Sequence, residues 1–283
     1  MHLPDRWTLF ACLLSSPVLL FADDNGNSAG CKNLPNHAAL RAALRTVVVQ
    51  PGEPNGGLDN NMWATVVNRD GEVCAVVFSG NDRGDQWPGS RVISAQKANA
   101  ANAFSLPAGS AGIFPGLALS TANLFTAVQP GGDLFGLQES NPVHTDLAYG
   151  GNSNNYGRAN DFMVGGKIGG VNVFGGGLAL YTTDGRLVGG LGVSGDTSCT
   201  DHVVAWKVRH LLNLDSVPSG VAPGGTDNMI QDITPNVTGH PVSASGFGHP
   251  RCLNNPSPAQ LQLACPAGPN APLAGCAAAD VAP

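Results

Sequence analysis

Residues 184–212 combine a glycine-rich run with side chains that can hold a ligand or transfer a proton. Asp201 and His202 lie next to each other there, and a carboxylate and an imidazole can act as acid, base or metal ligand. Gly192 and Gly195 precede them, and glycine allows a ligand or another backbone to approach closely. We therefore expect any ligand to bind beside the junction between this glycine-rich strand and the following helix.

Two familiar motifs are only partly matched at this junction. Gly190, Gly192 and Gly195 spell G-x-G-x-x-G, which seats a pyrophosphate on a helix N-terminus in dinucleotide-binding folds. Those folds continue into a second strand that ends in an acidic residue about 20 residues later. Asp215 has that spacing, but a Pro- and Gly-rich segment follows it. A nucleophile elbow, G-x-S-x-G, fails because Asp196 occupies its last position. Tight packing of strand against helix is the favoured interpretation.

A second group of polar side chains lies on the alanine-rich helix predicted over residues 90–104. Lys97 could bind a carboxylate or act as a base, and Arg91 and Ser94 could line the same pocket. In the alternative interpretation Lys97 forms an ion pair with Asp201 or lies on a solvated face. Asp201 could likewise serve only as a capping residue of its own helix.

The N-terminus and the cysteines indicate export. Residues 1–22 resemble a secretory signal peptide whose apolar run is too short for a membrane span. Outside it, six cysteines without a C-x-x-C spacing predict disulfides rather than structural zinc, with 15 possible pairings. We expect a secreted or periplasmic protein in which three of them staple the C-terminal tail: Cys252, Cys265 and Cys276.

Composition excludes two classes of partner. The net charge is -6, whereas nucleic-acid binding demands a basic face, so no nucleic acid is expected. Beyond the leader, nothing is apolar enough to cross a bilayer. With 38 glycines, 21 prolines and 12% charged residues, the chain is predicted to be loop-rich and globular.

The pattern of apolar residues predicts an α+β fold with an antiparallel sheet flanked by helices. We expect a signal peptide over residues 1–22, an N-terminal arm over 23–35, one domain over 36–214 and a Pro/Gly-rich, disulfide-containing tail over 215–283. The domain contains a long insertion, about residues 105–166, and its aperiodic part over 129–166 is of a kind that is usually functional or mobile. Predicted helices cover residues 36–48, 90–104, 117–128 and 198–212, and predicted strands cover 63–68, 72–78, 171–174, 178–183 and 186–193.

Four short motifs, taken together, resemble the haem-degrading domain family of HbpS-like and GlcG-like proteins. They are TVVNRDGEV at residues 65–73, SAQKA at 94–98, GGL at 176–178, and GGLGVSG at 189–195 with Asp201 six residues later. The resemblance implies a profilin-like fold with a five-stranded antiparallel sheet, homo-oligomers and haem as cofactor. The insertion and the tail have no counterpart in the short family members.

Haem requires an apolar slot, an axial ligand and donors for its propionates. His202 beside the glycine corner is the first candidate ligand of the iron, and His144 in the insertion is its rival. Either could instead be an ordinary surface or loop histidine. Lys97 is the candidate cation for a propionate or for another small anionic ligand.

These observations predict an exported, homo-oligomeric haem-binding protein that sequesters or slowly degrades haem, or binds its iron. A second hypothesis is an enzyme that acts on a small carboxylate or carbonyl compound, with Lys97 as anchor or base and Asp201 as acid–base partner. A third is a non-catalytic interaction module in which the corner is an oligomer interface. Whether the chain is an enzyme stays open at this point.

Overall fold

A computed structural model describes residues 29–48 and 55–256 of the chain. The predicted signal peptide lies outside the described residues, as do residues 23–28 of the N-terminal arm and Cys265 and Cys276. Four main strands and four helices form the core, and the remaining strands are two or three residues long. The helices are α1 (His37–Val48), α2 (Ser90–Ala103), α3 (Thr145–Tyr149) and α4 (Ser198–Leu211), and the strands are β1 (Trp63–Asn68), β2 (Val73–Phe78), β3 (Gly177–Tyr181) and β4 (Leu187–Ser194).

The core is an antiparallel sheet in the order β2-β1-β4-β3, with helices packed on both faces. The predicted mixed α and β class is therefore confirmed, but the sheet has four strands rather than five. The expected strand over residues 171–174 is irregular because the Asn172 side chain accepts a hydrogen bond from the Phe174 amide at 3.2 Å. Such a local bond competes with ladder formation.

The two strands predicted over residues 63–68 and 72–78 form the β1–β2 hairpin. The Asn68 side chain accepts hydrogen bonds from the amides of Asp70 (2.9 Å) and Glu72 (3.0 Å). Gly71 has a φ of +77°, a conformation that favours glycine. The helix after Asn36 is also confirmed, since the Asn36 side chain accepts from the Ala39 amide at 2.9 Å and caps α1.

Two apolar layers enclose the sheet. α1 and α4 cover one face with residues such as Leu44 and Trp206, and α2 covers the other with residues such as Val92 and Ala95. α2 lies so close to β4 that a Cβ on Gly190 would be 2.2 Å from the Ala98 carbonyl oxygen. This is the tight strand–helix packing favoured from the sequence.

The helix predicted over residues 117–128 is wrong. Its first residues form a two-residue strand, Leu117–Ala118, which pairs in parallel with Ser219–Gly220. Turns and a short 3-10 helix follow. The Asn123 side chain accepts from both the amide (3.0 Å) and the hydroxyl (2.8 Å) of Ser120. These bonds give the backbone an alternative to helix formation.

The insertion is fixed to α2 by Arg91. The guanidinium makes a bidentate ion pair with Asp161 at 2.9 and 2.5 Å, donates to the Ala148 carbonyl at 2.6 Å and lies 3.6 Å over the Tyr156 ring. Both partners of the ion pair are buried. The donors of Arg91 are thus engaged within the chain.

Residues 215–256, here called the C-terminal strap, pack along α4. Cys252 forms a disulfide with Cys199 at the start of α4, and Cys31 forms a second one with Cys74. Cys252 therefore attaches the tail to the domain, because its partner Cys199 lies in the domain. Deep contacts also fix the strap, and Asp227 is 0% exposed. No helix in the described part of the chain is long and apolar enough to cross a membrane.

Candidate functional site

Lys97 and Asp201 form a buried ion pair between α2 and the first turn of α4. The Lys97 ammonium donates to the Asp201 carboxylate at 2.6 Å and to the Val193 carbonyl at 3.1 Å. The other carboxylate oxygen accepts from the amides of Gly195 (3.1 Å) and Asp196 (2.9 Å). The sequence offered an ion pair between Lys97 and Asp201 as the alternative to a ligand-binding role, and this is the contact that the two side chains make.

Burial sets the protonation of this pair. It raises the pKa of Asp201 to about 6, against the opposing pull of the Lys97 charge. It also lowers the pKa of Lys97, and Asp201 counteracts that shift. At neutral pH the carboxylate is therefore charged and holds the ammonium, so Lys97 is committed to an internal partner rather than to an external carboxylate.

The glycine corner is filled by the protein's own backbone. A Cβ on Gly192 would lie 1.9 Å from the Ser94 carbonyl oxygen, and one on Gly195 would lie 2.7 Å from the Asn61 carbonyl oxygen. The Ser94 hydroxyl contacts the Thr65 hydroxyl at 2.7 Å. In this conformation the glycines bring backbone segments together and leave no opening above them.

His202 lies one turn into α4 and is 1% exposed. Neither Nδ1 nor Nε2 makes a hydrogen bond of good geometry within the described residues, and the nearby Asn228 side chain only partly offsets the effect of burial on the His202 pKa. Burial lowers the pKa of His202 to about 3, so the ring is neutral at physiological pH. A neutral imidazole with a free nitrogen is the form that binds a metal ion. Its donor chemistry therefore fits the role predicted from the sequence.

His144 is exposed and caps the N-terminus of α3. Its Nδ1 accepts a hydrogen bond from the Leu147 amide at 3.2 Å. In the neutral ring Nε2 then carries the proton. To bind a metal through Nε2, His144 would have to change tautomer and lose its capping bond, so the structure favours His202 over its rival.

A histidine to which the sequence assigned no role, His249, connects the strap to α4. Its Nδ1 donates to the Pro250 carbonyl at 2.7 Å, so Nε2 accepts from the Ser198 hydroxyl, also at 2.7 Å. That hydroxyl in turn accepts from the Gly175 amide at 2.7 Å. His249 is buried, which lowers its pKa to about 4. In the sequence, the nearby Cys252 is the one signal that the segment around His249 packs against the domain.

The strap covers the face of α4 that carries His202. A Cβ on Gly175 would lie 2.7 Å from the Met229 methyl group and 3.0 Å from the His202 Cβ, so strap and helix meet tightly here. Cys199, His249 and Cys252 bring three potential metal ligands within 4.8 Å, but the disulfide engages both sulfur atoms. His202 is thus the better candidate for a metal.

Acidification is expected to weaken folding through the buried histidines. Between their ordinary pKa of 6.5 and the folded values of about 3 for His202 and about 4 for His249, the unfolded chain binds protons that the folded chain does not. The free energy of unfolding is therefore highest above pH 6.5 and falls as the pH drops. Asp201 has the opposite effect, because its pKa rises from 3.8 to about 6 on folding. Between those two values its protonation increases the free energy of unfolding as the pH drops.

Urea unfolding of the wild type and of His202→Phe at pH 7 and pH 4.5 separates these contributions, because both proteins retain Asp201. The wild type is expected to lose more stability on acidification than the variant. An equal loss in the two proteins would contradict a buried neutral His202.

Comparison with known proteins places this chain in a family. A model described as haem degrading protein HbpS-like matches residues 53–209, more than half of the 283 residues. No curated protein matches the sequence.

Three solved structures are similar, and the chain covers most of each. Klebsiella pneumoniae ORFY is 21% identical over 63% of this chain and 90% of its own, with a TM-score of 0.40. PduOC, solved as a haem complex, is 22% identical over 63% and 93%, with a TM-score of 0.41. HbpS is 14% identical over 63% and 89%, with a TM-score of 0.37. Because these scores are low, the assignment rests on the family model, and it confirms the predicted resemblance. The chain belongs to the HbpS-like family of haem degrading proteins.

Proposed function

We propose that this chain is an exported haem-binding protein and that α4 carries the ligand of the haem iron. Family membership of residues 53–209 supports haem as the cofactor. The observation that carries the assignment of the ligand is His202, a buried neutral imidazole that makes no hydrogen bond of good geometry among the described residues. Haem would supply an iron whose remaining coordination position decides between storage and breakdown.

The closed strap covers the candidate ligand, because His202 is only 1% exposed. His202 therefore fits the iron by donor chemistry, but the strap must shift before a porphyrin can reach the ring. The disulfide between Cys199 and Cys252 opposes that movement.

An absorption titration tests haem binding. Hemin added to the purified chain is expected to give a saturable Soret shift at one hemin per chain. The shift is expected at lower hemin concentration in Cys199→Ser/Cys252→Ser, because this variant releases the strap. If neither protein gives a saturable shift, the proposal is wrong.

The proposal also covers the export of the protein, its location and its oligomeric state. We expect the mature protein to begin after the signal peptide, to be secreted or periplasmic, and to form homo-oligomers of a profilin-like domain over residues 36–214. Two disulfides suit an oxidising compartment. Exposed aromatic residues such as Trp87 (51%) and Tyr149 (65%) provide apolar area for self-association. Light scattering of the mature chain measures the assembly.

A further inference from the structure

A small cavity lies between the second half of α4 and the strap. Its buried lining residues are Trp206, Arg209, Thr226 and Asp227, and its exposed ones are Gly224 and Gly225. It measures about 220 Å³, enough for a small organic molecule but not for a porphyrin. Most of its wall comes from residues 217–227, beyond the segment that the family model matches. The cavity is thus a feature that the strap adds to the family domain.

Two buried N–H groups belong to the lining side chains and have no acceptor. The Trp206 indole Nε1 and the Arg209 Nε find no hydrogen-bond partner among the described residues. Trp206 is 1% exposed and Arg209 is 0% exposed. A buried donor left unpaired is unfavourable. Two such donors on side chains that line one cavity indicate a ligand with an acceptor oxygen.

The charges around the cavity favour a neutral ligand. Asp227 binds both terminal nitrogens of Arg209, at 2.7 and 2.8 Å, and so compensates the guanidinium charge. A ligand carboxylate would place a second negative charge beside Asp227 without an unpaired cation to balance it. A neutral carbonyl oxygen can accept a hydrogen bond without that repulsion. The lining also includes apolar groups, Val217 and Pro218, which suit a short alkyl chain.

We propose that this cavity binds a small neutral carbonyl compound, an amide or ketone, through the Trp206 and Arg209 N–H groups. The site is independent of the proposed haem site, because it uses neither His202 nor iron. Its ligand enters past the glycines of the exposed rim.

Nuclear magnetic resonance of the ¹⁵N-labelled mature chain tests this site with propionamide as the neutral probe and propionate as its charged counterpart. Propionamide is expected to shift the Trp206 indole and Arg209 Nε resonances saturably. Propionate is expected to bind more weakly. Trp63 provides an internal control, because its indole already donates to the Trp87 carbonyl at 3.1 Å and should not move.

Two variants test whether propionamide binds in the cavity itself. Trp206→Phe removes one donor and is expected to weaken propionamide binding about tenfold. Val217→Phe fills the cavity while keeping both donors, and binding is expected to be lost. Val237→Phe, on a fully exposed strap residue, is the matched control. Absence of saturable shifts at Trp206 and Arg209, tighter binding of propionate, or unchanged binding in folded Val217→Phe would each overturn the proposal.

Discussion

Replacing Asp201 with leucine is expected to lower the free energy of unfolding by about 3–5 kcal/mol. The substitution leaves the Lys97 ammonium, which is 1% exposed, without its carboxylate partner. It also removes the acceptor of the Gly195 and Asp196 amides. An uncompensated charge in the interior costs far more than the pair contributes. Chemical unfolding of the oxidised protein at pH 7 measures the loss.

A double-mutant cycle tests whether the loss of stability in Asp201→Leu comes from the unpaired Lys97 charge. Lys97→Met/Asp201→Leu removes both charges and is expected to recover part of the loss, since apolar replacement of a buried ion pair is often tolerated. The exposed pair of Arg83 and Asp82, 4.0 Å apart, is the control, and Arg83→Met should cost about 1 kcal/mol or less. If the two single changes at Lys97 and Asp201 add without coupling, the ion pair is not what supports this corner.

Removing the disulfide between Cys199 and Cys252 is expected to lower stability by about 2–4 kcal/mol. It links residues 53 apart in sequence, and its loss increases the conformational freedom of the unfolded chain. It also frees the strap from the start of α4. Cys199→Ser/Cys252→Ser should therefore show faster amide hydrogen exchange over residues 215–256.

The other disulfide supplies a matched comparison. Cys31→Ser/Cys74→Ser opens a link of similar sequence separation, 43 residues, on a different part of the domain. It should reduce stability by a comparable amount and leave exchange in the strap unchanged. Equal acceleration of strap exchange in both variants would mean that the strap is not held locally by Cys199 and Cys252.

Local patterns predicted the elements whose signals lie within a few residues. The helix over residues 36–48 and the two strands over 63–68 and 72–78 were predicted, and they form α1, β1 and β2. The ion pair of Lys97 and Asp201 was one of the alternatives that the sequence left open. These elements depend on capping, turn chemistry and hydrophobic periodicity, which a short stretch of sequence contains.

The features that the sequence did not reveal depend on contacts between distant residues. His249 lies 51 residues from its partner Ser198, and no periodicity indicates that the strap returns to α4. Cys252 was one of six cysteines with 15 possible pairings. The missing fifth strand has a local cause instead, because the Asn172 side chain accepts a hydrogen bond from the Phe174 amide where the apolar pattern predicted a strand.

Hemin titration of histidine variants tests the central claim most directly. His202→Ala is expected to weaken hemin binding at least about 10- to 100-fold and to change the Soret position, because it removes the proposed iron ligand. His144→Ala and the exposed strap variant His240→Ala should bind like the wild type. Wild-type affinity and an unchanged Soret spectrum in folded His202→Ala would contradict the claim that α4 carries the haem ligand.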